Sequence, residues 1–344
     1  MQHHKTSAFG LAVALGLGGG AGAPAGAQSL PVSPTGIPYT VPAAARAAGW
    51  TLAADQARTG FFGSNPAFLC GGSRIEVELD AAWQGRTEDR PELSLDEVEA
   101  RLGAATGKVR FGNLALGVAY QRPYHAQYSA SVLPGEADEE LETVVAGAAL
   151  ELVAGVHVGA SLATLRVGRP EGDGHSYQAS LGVEIAQAGS MLAAAVKSTL
   201  FGADAARFDE PTWVQLDGRL GLGPVSALAA RLGVGWWNGD AANALEVPID
   251  VGIGARWQVV PLVHVLGGVH QVRHRISDQR VVPLDDPSAI RDALFEDLDQ
   301  GTFLDLGVLV GAQTWHAALA VEDNRVFGPD IDSTWITLSM GAGF

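Results

Sequence analysis

The sequence predicts an all-β fold, a transmembrane antiparallel β-barrel of about fourteen strands, an even number as in single-chain bacterial outer-membrane barrels. Three observations predict it. The first is Leu245 to Trp257, LEVPIDVGIGARW. Leu245, Val247, Ile249, Val251, Ile253, Ala255 and Trp257 share one face of an extended chain. Glu246, Pro248, Asp250, Gly252, Gly254 and Arg256 share the other. Side chains of a strand alternate sides, so one face is wholly apolar and the other carries charge and glycine. The pattern outlasts an ordinary globular strand and suits a tilted bilayer span of roughly 9–11 residues. The second observation is a rhythm of such segments joined alternately by short and long connections. The third is the end of the chain, where Ile336, Leu338, Met340, Ala342 and Phe344 alternate up to a final aromatic.

Composition narrows the alternatives. The chain has 344 residues, 47% hydrophobic and 17% charged, with 44 glycines. Past the N-terminus no apolar run approaches the roughly 20 residues of a spanning helix. A net charge of −16 argues against nucleic acid, which needs clustered Lys and Arg. Phosphate-loop glycine patterns are absent. One cysteine, Cys70, excludes an internal disulfide and a cysteine-rich metal site, and reads as a lone free thiol.

Residues 1–27 read as a secretory signal peptide. Lys5 supplies charge, Ala8 to Leu17 the apolar core, and Ala25-Gly26-Ala27 a small-residue cleavage site. Residues 28–72 do not alternate. Four prolines make an extended start, and Ala43 to Trp50 can form a short helix. The rest is too apolar for a solvated linker and too irregular for a strand. It needs something to pack inside, which a lumen supplies. Residues 73–344 form the barrel.

The strands are expected at 74–84, 106–111, 114–121, 142–152, 155–166, 176–186, 190–200, 212–221, 225–237, 245–257, 262–273, 302–312, 315–323 and 333–344. Between the first two, Ser94 and Glu97 have capping-box spacing, which predicts a short helix ending near Gly103. A polar loop is expected over 122–141. Short turns with Gly, Asn or Pro alternate with long acidic connections, the asymmetry of periplasmic turns and extracellular loops. Closure of the last strand on the first leaves no edge in lipid.

The lumen face collects charge: Arg74, Glu76, Glu78, Asp80, Lys108, Arg110, Glu151, Glu184, Lys197, Asp305, His316 and Glu322 among others. Asp217, Arg219, Arg231, Asp250 and Arg256 are expected to form one charge network on neighbouring strands. His264 and His270 share a face but stand too far apart for one metal ion. His157 and His316 have no recognisable partners. No serine sits in a nucleophile elbow and no triad is legible, so no catalytic residue, metal or cofactor is expected. The acidic loops lack calcium-loop spacing and read as a solvated face, with bridging to lipopolysaccharide through divalent cations as the alternative, since carboxylates are hard oxygen ligands. Asp286-Pro287 begins a helix to Leu298 with an apolar stripe at Ile290, Leu294 and Leu298.

Ala44-Ala45-Arg46-Ala47-Ala48-Gly49, then Ala53-Ala54-Asp55-Gln56-Ala57, then Asn65-Pro66-Ala67-Phe68-Leu69 resembles the N-terminal region of the FadL-type outer-membrane proteins. That family includes long-chain fatty acid and aromatic hydrocarbon channels, and the PorV-like proteins of a bacterial secretion system. The resemblance implies a Gram-negative outer-membrane barrel with residues 28–72 as a plug, or hatch, and Asn65, Pro66 and Ala67 as its motif. It implies passive uptake of a hydrophobic small molecule past Phe61, Phe62, Phe68 and Leu69. Lateral exit is implied near a kinked third strand, here at Gly117, Pro123 and Tyr124. The terminal Phe344 resembles the signal read by the barrel-assembly machinery. Outer-membrane lipid and lipopolysaccharide are the expected surroundings. The alternative within the resemblance is a PorV-like barrel that transports nothing and serves as a scaffold or secretion component. Two departures weigh on the channel: Gln56 stands where a second Asp is usual, and the loops after strands five and seven are short.

Overall fold

The computed structural model describes residues 41–54, 58–88, 95–96, 100–130, 136–168, 174–202, 212–223, 225–236, 249–273, 302–312, 314–327 and 331–344. The expected signal peptide, the helix after Asp286 and the segment 245–248 lie outside the described residues.

Fourteen antiparallel strands close into a barrel: β1 Ile75–Glu88, β2 Ala100–Phe111, β3 Leu114–Ala130, β4 Glu136–Val153, β5 Val156–Gly168, β6 Gly174–Gln187 and β7 Ser190–Gly202, then β8 Thr212–Gly221, β9 Ser226–Trp236, β10 Ile249–Val260, β11 Val263–Arg273, β12 Thr302–Ala312, β13 Trp315–Asp323 and β14 Ile331–Gly343. Each pairs with its sequence neighbours. β14 returns to β1, with Val77 facing Ala342 and Glu88 facing Ile331. The terminal Phe344 exchanges backbone hydrogen bonds with Ile75 at 2.8 and 3.0 Å. No described helix is long and apolar enough to cross a membrane.

Alternation sets the two faces. On β10, Ile253 and Trp257 are each 64% exposed on the outer wall, while Asp250 is 1% exposed inside. Ile75, Val77 and Leu79 face out on β1, and Glu78 and Asp80 face in. At one end the hairpins are tight. The turn between β6 and β7 places both Ala188 and Gly189 at positive φ, the primed geometry that matches strand twist.

Two expectations need correction. Leu95–Asp96 is extended and pairs with Ala130 and Ser129, and Ala100 to Gly103 belong to β2. The helix after Ser94 is therefore overturned: a capping box is a local preference, and the neighbouring ladder outweighs it. The loop over 122–141 is mostly strand, since β3 runs to Ala130 and β4 starts at Glu136. Above the lipid an outer face need not be apolar, so hydrophobic periodicity falls silent while pairing continues.

Candidate functional site: the lumen and the β2–β3 wall

Residues 41–54 and 58–72 pack on the inner face of the barrel. A short helix, α1 Ala43–Arg46, starts after Pro42, whose carbonyl accepts from Ala45 and Arg46 at 2.9 Å. Pro42 suits this entry because it needs no N–H partner. The helix ends at Arg46, and the turn that follows takes Gly49 and Trp50 to positive φ. For Trp50 that conformation is strained, and its surroundings hold it there. Its indole donates to Glu322, its carbonyl accepts from Arg231 at 3.2 Å, and its ring stacks on His270 at 4.5 Å. His270 stacks in turn on Phe303 at 4.9 Å.

Glu322 also takes Arg46 at 2.5 Å, and the Arg46 guanidinium lies over the rings of Trp50 and Trp335. His270 Nδ1 meets Asp305 at 2.7 Å. His270, Asp305 and Glu322 bring ligand-type atoms within 4.8 Å of one another. The Glu322 oxygens are already held by Arg46 and Trp50, so the group works as a hydrogen-bonded clamp on α1.

Inward glycines let the inner segment touch the wall backbone. A Cβ on Gly254 would fall on the Ala48 carbonyl oxygen, and one on Gly268 would lie 2.6 Å from the Ala48 carbonyl carbon. On the other side of the lumen, Gly159 lies under Pro66 and Ala67, and Gly182 under Asn65. Asn65 is extended and caps the turn Pro66–Cys70, accepting from Ala67 N at 3.0 Å. Its amide also donates to the carbonyls of Ala194 at 3.2 Å and Val183 at 3.4 Å. Phe62, Phe68 and Leu69 are fully buried, and Leu69 and Phe62 reach Gly117 and Gly147. Phe61 belongs to the turn Gly60–Gly63, and its side chain lies outside the described residues, as do those of Pro123 and Tyr124.

Of the expected five-residue charge network, the described contacts centre on Arg231. Arg231 pairs with Asp250 at 2.9 Å and lies 3.9 Å from Asp217, and Gln215 bonds both Arg231 and Asp217. Arg219 instead donates to the Gly189 carbonyl at the hairpin end, 3.0 Å away. Arg256 stands six positions from Asp250 along β10, roughly 20 Å at strand rise. A shared face does not make a shared height. His157 and His316 do have partners: Glu184 at 3.0 Å and Glu78 at 3.5 Å. Glu184 also pairs with Arg58 of the inner segment. The sequence reading missed the clamp because Glu322, Trp50 and His270 meet only across the lumen. The one available signal was Arg46, a lone cation in an alanine-rich run.

The wall changes at Pro123. β3 carries one extra residue against β4 between Gln121 and Tyr124, a bulge. On its other edge β3 pairs with β2 as far as Gly103 facing Arg122. The described residues Ala100 to Leu102 do not pair with β3, residues 97–99 lie outside the described residues, and Asp96 faces Ser129. Proline has no N–H to give a ladder, so the break falls where the sequence removes a rung.

No protein-family model and no curated protein matches the chain. Solved structures do. The Ralstonia pickettii toluene transporter TbuX superposes with TM-score 0.61 at 13% identity, covering 88% of this chain and 98% of that one. The Pseudomonas putida toluene transporter TodX gives 0.57 at 10% identity, covering 88% and 97%. A Pseudomonas aeruginosa FadL homologue gives 0.59 at 12% identity, covering 88% and 98%. These neighbours are named as transporters or as a FadL homologue, and the resemblance carried by the N-terminal residues meets them over the whole barrel: the chain has the fold of the FadL-type outer-membrane channels.

Proposed function

We propose that this protein is an outer-membrane channel, not an enzyme, for passive uptake of hydrophobic small molecules, with the inner segment as its plug. The observation that carries the reading is the break in the β2–β3 ladder beside Pro123, with Gly63 of the inner segment against Gln121 two positions before it. A hydrophobic solute leaving there would enter lipid without crossing water. The likeness to toluene transporters supports the same reading. Cells carrying the full chain should accumulate a radiolabelled monoaromatic hydrocarbon faster than cells without it. A chain lacking residues 42–60 should conduct ions in planar bilayers. Equal accumulation with and without the protein would overturn the channel.

The packed lumen favours a second reading, a PorV-like scaffold. Ion pairs such as Arg46–Glu322 and Arg58–Glu184 tie the inner segment to the wall. A scaffold would show no uptake and would retain a protein partner through its loops.

A further inference from the structure

The inner wall beside the break carries buried polar groups that nothing in the clamp or the ion pairs uses. Gln121 on β3 faces Thr143 on β4; Thr143 faces Leu165 on β5, and Leu165 faces Ser176 on β6. One step below in register lie Ala119, Val145, Ala163 and Gln178, with Thr106 on β2 facing Ala119. Gln121 and Thr143 are 0% exposed and Ser176 is 1% exposed. Both side-chain ends of Gln121, and the hydroxyls of Thr106, Thr143 and Ser176, have no hydrogen-bond partner among the described residues, nor does Oε1 of Gln178.

Such groups are costly to leave unmade, about 1–3 kcal/mol each. Natural interiors rarely tolerate a set of them without a purpose. Their surroundings are apolar: Phe62, Ala119, Val145, Ala163 and Leu165. Gly63 of the inner segment lies against the Gln121 amide. All five polar side chains are neutral. They are flanked by Asp80, two strands from Gln121 through Ala104, and by Lys197, which faces Ser180 on β6 and is not free.

Building on the channel reading, we infer that Gln121 and Thr143, with Ser176 beyond Leu165 on the same row, form a ligand-binding shelf at the wall break. Its ligand is an apolar molecule carrying one neutral hydrogen-bonding group, such as a phenol or alcohol. The ring or chain lies on Phe62 and Leu165, and the hydroxyl exchanges hydrogen bonds with the Gln121 amide and the Thr143 hydroxyl. The amide both donates and accepts, so it suits a hydroxyl, which does the same. A carboxylate loses this match and meets no cation on the shelf itself. Turn Gly60–Gly63 covers the shelf, so the ligand takes the place of that cover.

The test is equilibrium binding of radiolabelled toluene, 4-methylphenol and 4-methylbenzoate to the purified full chain, with uptake by cells alongside. 4-Methylphenol is expected to bind about tenfold tighter than toluene, two modest hydrogen bonds' worth. In Gln121→Leu/Thr143→Val that preference falls to within about twofold, with toluene binding kept. Retained heat-modifiable migration shows that the variant is folded, and Thr143→Val alone, nearly isosteric, should lose part of the preference. Equal binding of toluene and 4-methylphenol to the full chain overturns the shelf and leaves the channel standing. Tightest binding of 4-methylbenzoate overturns the neutral assignment. Absence of uptake for all three overturns the channel and the shelf with it.

Discussion

Arg46 Nη1 lies 2.5 Å from Glu322 Oε2, across 276 residues of sequence and between two nearly inaccessible side chains. The pair joins α1 to β13, and removing one member strands the other. Such losses typically cost roughly 3–5 kcal/mol. Arg46→Ala is expected to release residues 41–54 to protease while the barrel keeps its heat-modifiable band. Glu322→Gln should act similarly, and the double variant should cost less than the sum, since both remove one contact. Additive effects would mean the two residues act separately.

Asn65→Ala removes a cap and two bonds to wall carbonyls at once. The cap alone is worth about 1 kcal/mol. Ionic leak through planar bilayers should rise, with barrel assembly unchanged. Leak equal to that of the unaltered chain would show that Pro66 and the glycines beneath suffice.

Val251→Arg places a cation on the outer wall, where it costs roughly 2–4 kcal/mol near mid-membrane. On the sequence alone, Asp250→Arg looks milder, because position 250 lies on the polar face of its strand. Arg231 is the actual neighbour at 2.9 Å, so the reversal sets two buried guanidiniums together. Urea titrations of folding into vesicles should find Asp250→Arg at least as damaging as Val251→Arg, and Asp250→Asn milder than either.

Gly268→Val should expel α1 and leave the barrel intact, because the added carbons occupy the place of the Ala48–Gly49 backbone. Proteolysis within residues 41–54, absent before the substitution, is the readout. Gly189→Ala has open space around it and should leave this readout unchanged, whatever its turn strain costs.

Cys70 is buried at the end of the Asn65-capped turn, and burial pushes its thiol above the ordinary range. The folded protein should resist alkylation at neutral pH, since the thiolate is the reactive form. Gly159→Val, which disturbs the seat of Pro66, should speed alkylation severalfold. An unchanged rate would place the barrier at Arg110, which donates to the Cys70 carbonyl at 2.7 Å.

The barrel was legible because lipid imposes its pattern on every spanning strand, as Ile253 and Asp250 illustrate. Where lipid ends, the pattern ends, so the upper halves of β3 and β4 read as loop although they pair. The inward face of Glu78, Asp80 and Glu184 was legible; their height was not. Arg219 meets the Gly189 carbonyl at the hairpin end and Arg256 stands six positions from Asp250, because height depends on strand stagger. The clamp on Trp50 was illegible for another reason. It unites residues from four separate parts of the chain, around Trp50, His270, Asp305 and Glu322, and no local rule connects them.

The two sides of the break at Pro123 share one register. From Gly103 facing Arg122 to Asp96 facing Ser129, both strands advance seven positions (103 to 96, 122 to 129). The missing rungs therefore leave strand stagger, and with it the circumference of the cylinder, unaltered. During insertion the chain can zip β2 to β3 as though the wall were whole. Bending confined to the unpaired stretch would leave every strand in place beside its neighbour, with none having to slide.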